Sequence, residues 1–196
     1  MKRFKILIFK ILYYTINLAK NKKSLDFLAI FSFLESIIIP LPPDIFLIPI
    51  TLSKKYKWFY LGLFTTFFSI FGGIFGYLIG MYFWDVIGIK IIELYNGYHH
   101  VDYIKDIFDK YGWVVILIAG FSPIPYKIFT LGSGMLGYNF LIFLMCSIIS
   151  RGLRFLSLTF LVNKYGEKSI NLLENHFVKF TIIISIIFIM IVLLLL

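Results

Sequence analysis

The chain has 196 residues, with 19 Lys and Arg against 10 Asp and Glu for a formal net charge of +9, yet 60% of its residues are hydrophobic and only 15% are charged. A soluble globular domain is about 25% charged, so a water-soluble fold is excluded, and a nucleic-acid-binding face would need a polar surface that this composition cannot supply. Orientation in a bilayer accounts for the surplus, because loop Lys and Arg decide which side a segment faces.

In residues 1–23, Arg3, Lys10 and Asn17 recur every seven residues and give a narrow polar stripe on an otherwise apolar helix bracketed by Lys. That pattern predicts an interfacial amphipathic helix; the alternative is a short first transmembrane span. Lys10 interrupts the apolar run and no small-residue cleavage site follows, so the segment is expected to be retained. From Asp26 to Leu52 an apolar stretch containing Glu35 and Asp44 is broken at Pro40, Pro42 and Pro43. Proline inside a helix removes a donor and clashes with the preceding turn, which predicts two helical arms around a proline elbow, a re-entrant segment over 25–52. Irregular backbone survives at membrane depth only where protein or a wet cavity covers it, so the elbow should be buried or line a site.

Residues 58–84 are long enough to cross a bilayer and carry Gly72, Gly76 and Gly80 four apart. Small residues at that spacing let a neighbouring helix approach closely, either within the monomer or in a homo-oligomer. Residues 85–111 are polar enough for an extracytoplasmic connector of amphipathic helices. His99 and His100 lie there without diagnostic metal spacing, and no metal or cofactor is expected. Apolar sequence resumes in a second re-entrant segment, 112–137, broken at Pro123 and Pro125 and closed by a glycine-rich turn over Leu131–Gly137. A span over 139–162 then carries Arg151 and Arg154 in its middle, and residues 167–196 end in a plain apolar transmembrane helix from Phe177. Cys146 is the single cysteine, so no disulfide framework exists.

The two broken segments resemble each other. Pro40-Leu41-Pro42-Pro43-Asp44-Ile45-Phe46 aligns with Pro123-Ile124-Pro125-Tyr126-Lys127-Ile128-Phe129, which places Asp44 and Lys127 in equivalent positions with opposite charge. Paired interrupted segments in corresponding halves point to a substrate site at a repeat interface. If each broken segment enters and leaves by one face, residues 1–23 (+7) share a side with Lys54, Lys55 and Lys57 (+3), while 85–110 (−2) lies opposite and the stretch after Val162 (+1) returns. The N-terminus is therefore expected to be cytoplasmic and the repeats inverted. The predicted fold class is an all-α membrane protein with two inverted re-entrant segments, each followed by a transmembrane helix.

Charges at membrane depth are expensive, which singles out Glu35, Asp44, Lys127, Arg151 and Arg154. Arg151 and Arg154, three apart, share a helical face, and only 3 of the 19 basic residues are Arg. Arginine stays charged when desolvated and offers a planar fork of donors matched to phosphate or carboxylate. Asp44 has a second reading as the cap of the arm after the prolines, and the arginines a second reading as partners of the two acids in a purely structural network. Two acids and three bases suit an anionic guest such as a lipid phosphate, and protonation of Glu35 or Asp44 would release an arginine and couple movement to a proton gradient. No nucleophile elbow, P-loop, zincin or dinucleotide fingerprint is present, so no enzymatic activity is expected.

The tract Ala119-Gly120-Phe121-Ser122-Pro123-Ile124-Pro125-Tyr126-Lys127-Ile128-Phe129-Thr130, followed by Ser150-Arg151-Gly152-Leu153-Arg154-Phe155, resembles the DedA superfamily (VTT or SNARE-associated domain), most closely its YqaA-like branch. The resemblance covers roughly Asp26 to Gly166 and includes Glu35, Pro40, Pro42 and Asp44 in the first half. It implies two re-entrant segments facing each other, with Glu35 and Asp44 at the acidic positions and Arg151 and Arg154 on the basic helix. It also implies movement of lipids such as undecaprenyl phosphate or phospholipid between leaflets of the bacterial inner membrane, with proton coupling. A proton-coupled solute or ion permease and a non-transporting membrane-homeostasis protein are the competing expectations. The chain departs from the family in having Ser122 and Lys127 around the second proline motif, where an Arg is usual.

Overall fold

A computed structural model describes residues 23–38, 42–84, 86, 98–121 and 125–166, without the side chains of 98–102. Residues 1–22 of the predicted interfacial helix, the C-terminal span, residues 85 and 87–97 of the connector, Pro40 and Pro123 lie outside the described residues. The regular elements among the described residues are six helices: α1 (Ser24–Glu35), α2 (Asp44–Leu52), α3 (Trp58–Phe83), α4 (Tyr98–Phe121), α5 (Tyr126–Met135) and α6 (Phe140–Tyr165). Two of them, α3 and α6, are long and apolar enough to cross a membrane, at 26 residues each.

Each half consists of a proline-broken pair of arms followed by a long helix. The first arms α1 and α4 pack on the long helix of their own half, α3 and α6 respectively, whereas the second arms are exchanged: α2 lies on α6, and α5 lies on α3. The long helices also pack on each other, so all six elements share one assembly.

Sequence explains the close approaches. A Cβ added at Gly72 would collide with the Phe33 carbonyl of α1, and one at Gly80 with the Leu131 carbonyl of α5. The glycine face of α3 is therefore filled within the monomer, as the internal-packing reading expects. Gly134 reciprocates on α5, where a Cβ would strike the Tyr77 carbonyl. Leu131–Gly137 is thus not the expected glycine-rich turn: Gly132 and Gly134 lie inside α5, and Gly134 lets its backbone meet that of α3. Only Gly137 turns, with φ 65. Its N–H donates to Gly134 O at 3.1 Å and that of Tyr138 to Ser133 O at 2.9 Å, closing the helix end with a left-handed glycine.

A second difference concerns the connector. Helix α4 runs unbroken across residues 111 and 112, joining what sequence divided into connector and re-entrant arm. No proline interrupts it, and Gly112 is covered by Phe108 and Tyr138.

Two apolar clusters lie at the two ends of the long helices. Leu28, Leu47, Ile50, Leu61, Phe155, Leu158 and Val162 form one; Tyr77, Ile116, Tyr138, Phe143 and Cys146 form the other. Between them is a polar waist of buried Ser36, Ser69, Thr130, Ser147, Ser150, Arg151 and Arg154. The outer surface is apolar, with Phe67, Tyr82, Leu141, Met145 and Leu153 all exposed, the reverse of a helix whose outer face meets water.

Candidate functional site

The waist is where the chain breaks. α1 stops at Glu35 ahead of the prolines, which disfavour helical backbone in the residue before them, and α2 restarts at Asp44. That layout sets two carboxylates on either side of one proline turn. On α6, Arg151 and Arg154 face them. Arg151 Nη2 donates to Glu35 Oε2 across 116 residues of sequence, and Arg154 Nη2 donates to Asp44 Oδ2 at 2.6 Å across 110. The capping alternative for Asp44 is not realised: α2 has no side-chain cap, and Asp44 occupies its first turn.

The two pairs differ in enclosure. Arg151 is 3% exposed and Glu35 13%. The Arg151 guanidinium lies between the Tyr126 and Phe155 rings, at 4.7 and 4.8 Å from their centroids, and its Nε donates to Ser69 Oγ at 2.7 Å. Ser69 and Ser36 share a hydrogen bond of 3.0 Å, and Ser36 Oγ reaches back to Glu35 Oε2 at 3.4 Å, which closes a ring of polar contacts around the pair. Tyr126 is fixed in turn, its hydroxyl donating to Ser147 Oγ at 2.5 Å. Arg154 and Asp44 are more open, at 9% and 22%. Arg154 Nη1 donates to Phe121 O, the last carbonyl of α4, at 3.2 Å, and Asp44 Oδ1 is buried without a hydrogen-bond partner.

Lys127 takes a different partner. Its Nζ donates to Ile38 O at 2.8 Å, beyond the end of α1, while Thr130 Oγ1 donates to Ser36 O at 3.1 Å. Helix C-termini leave carbonyls unpaired and carry partial negative charge; the first half's open carbonyls are thus taken by α5, and the second half's by Arg154. Of the five charged residues selected from sequence, all lie in this waist. Pro42, Pro43 and Pro125 bound the arms beside it. Sequence reasoning missed Ser36, Ser69, Tyr126, Thr130 and Ser147, whose only advance signal was hydroxyls among long apolar runs. Among the described residues no group of three His, Cys, Asp or Glu gathers to hold a metal.

Chemically, the arrangement offers planar and ammonium donors in a poorly hydrated setting, counterbalanced by two carboxylates. Donors of this kind are matched to the oxygens of a phosphate or carboxylate.

The VTT domain family matches residues 41–164. An uncharacterized protein of Haemophilus influenzae is 36% identical over 154 residues, covering 79% of this chain and 80% of its own length. An uncharacterized protein of Histophilus somni is 35% identical over the same shares of the two chains. No solved structure matches.

Proposed function

The chain belongs to the VTT-domain family, the DedA and SNARE-associated group of membrane-associated proteins, and on that premise we propose that it carries an anionic lipid, such as undecaprenyl phosphate or a phospholipid, between the leaflets of the bacterial inner membrane. One observation carries the reading: three cations and two carboxylates converge where both proline-broken arms meet α6, in a chain whose outer surface is apolar. Charge at that depth is costly unless it serves a ligand or a relay. Arg151, Arg154 and Lys127 form the anion-facing set; Glu35 and Asp44 hold the arginines in place when no anion is bound. Protonation of either acid frees its arginine, which is the route by which a proton gradient would drive the movement.

Reconstitution into liposomes with fluorescent phospholipids or a labelled polyprenyl phosphate tests this. The expected result is faster exchange of anionic lipid between leaflets, lost in Arg154→Ala. Unchanged exchange of every anionic lipid sinks the proposal, and uptake of small anions instead assigns a permease. Neutralising both acids, Glu35→Gln with Asp44→Asn, should flatten the pH dependence; an unaltered profile removes the proton route.

A further inference from the structure

We infer that the waist is a single-charge seat: among the described residues Lys127 is its one cation without a carboxylate partner, and it fits a phosphodiester headgroup carrying one negative charge, accepted with both arginine–carboxylate pairs intact. The inference rests on the lipid-translocation reading and narrows its substrate class.

The charge census around the seat is short. Helix α3 contains no Asp, Glu, Lys or Arg along its whole length, and α4 contains none from Gly112 to Phe121. The charged groups of the waist are therefore Glu35 on α1, Asp44 on α2, Lys127 on α5, and Arg151 and Arg154 on α6; the other charges on these elements are Asp26 in the first turn of α1, Lys164 in the last turn of α6, and Asp102, Lys105, Asp106, Asp109 and Lys110 on α4 ahead of Gly112. Each arginine is bonded to one carboxylate. Lys127 makes no carboxylate contact among the described residues; its bond to the Ile38 carbonyl uses one of three ammonium hydrogens and leaves two for a ligand. It also stands in the first turn of α5, whose start has no side-chain cap, so the backbone adds to the positive potential there.

A phosphodiester balances that single charge. A phosphomonoester gains a second negative charge near pH 6, and an unbalanced charge is incompletely screened beside the mostly buried arginine pairs. A monoester dianion therefore needs a second cation. Of the two pairs, the enclosed one supplies it least readily, because the Tyr126 and Phe155 rings pack against the Arg151 guanidinium and Ser69 accepts from its Nε. Arg154 can supply it, once a proton goes to Asp44, the more exposed acid and the one with an unpartnered oxygen. A proton is thus required for a monoester and not for a diester, so the coupling depends on the headgroup.

The test uses the full chain in liposomes doped with acyl-labelled phosphatidylglycerol (a diester), phosphatidic acid (a monoester) or zwitterionic phosphatidylcholine, assayed from about pH 5.5 to about pH 8 across the second phosphate ionisation. Phosphatidylglycerol should move fastest with a flat pH profile, phosphatidic acid should slow at least about tenfold towards pH 8, and phosphatidylcholine should not respond. Lys127→Gln should abolish the phosphatidylglycerol rate and Lys127→Arg should keep it. Asp44→Asn should restore phosphatidic acid movement at pH 8, an independent gain of function if the Lys127 variants fold poorly. Equal rates for monoester and diester at pH 8, a response from phosphatidylcholine, or a folded Lys127→Gln protein with the full rate would each overturn the seat while leaving lipid movement standing. Movement of no lipid overturns the parent reading and the seat with it. Uptake of dimethyl phosphate into the same vesicles without lipid movement supports the seat and overturns a lipid as its source.

Discussion

The second arms of the two halves, α2 and α5, are nearly equal in length, 9 and 10 residues, and each packs on the other half's long helix, yet they are held by different forces. α5 meets α3 backbone to backbone, through Gly80 under Leu131 and Gly134 under Tyr77. α2 contains Pro49, which removes one helical hydrogen bond, and it rests on α6 through the apolar cluster of Leu47 and Ile50 plus the Arg154–Asp44 pair. A glycine-mediated contact is a steric fit that nothing in the waist can switch. An ion pair is a contact that a proton or a competing anion dissolves. The difference identifies α2 as the arm whose attachment responds to charge, and α5 as the fixed platform that presents Lys127.

A bulky side chain at the platform should have the largest effect. Gly80→Leu drives a side chain into the Leu131 backbone and should prevent recovery of folded protein in detergent. Gly80→Ala should cost about 1–3 kcal/mol as an overpacked contact, read as a lowered Tm. A Gly80→Ala protein as stable as the parent would mean that α5 yields as easily as α2.

The two ion pairs come next. Arg151→Ala leaves Glu35 buried and unpaired and should cost about 3–5 kcal/mol; adding Glu35→Ala should recover part of the loss, so a double-mutant cycle in detergent melts gives a clear coupling. The Arg154–Asp44 pair is more exposed, and Asp44→Asn should cost only about 1–3 kcal/mol. Equal couplings would erase the contrast between a fixed and a responsive pair. The smallest effect is expected at the start of α6, where Asn139 Oδ1 accepts from Ile142 N–H at 3.1 Å. Asn139→Ala should lower stability by about 1 kcal/mol and leave lipid movement untouched.

Sequence made the ionic part of the waist legible because charge in an apolar chain has few explanations, and the proline breaks told where the arms would part. It also made the glycine stripe of α3 legible as a packing face. The hydroxyl contacts were hidden for a definite reason. Ser32, Thr51, Thr65, Thr66, Ser150 and Thr159 all donate to the carbonyl four residues earlier in their own helices, which any Ser or Thr in an apolar helix can do. Only packing selects Ser69 and Ser147 to bond across helices, and adds a bond to Ser69 at Ser36, which also donates to Ser32 O. Nor could the glycines of α5 be told from turn glycines, since composition does not reveal that a carbonyl of α3 stands opposite Gly134.

The exchanged arrangement also orders events during synthesis. Glu35 emerges 116 residues before Arg151, and Asp44 emerges 110 before Arg154. At about 5–20 residues per second, each acid waits on the order of 5–25 seconds for its partner while the intervening helices are made. A carboxylate cannot rest ionised in hydrocarbon for that time, so the first arms must stay protonated, wet or shielded by the insertion machinery until α6 arrives. The arginine helix is thus the last described element to be made, and the nascent first half has to remain unfinished until it does.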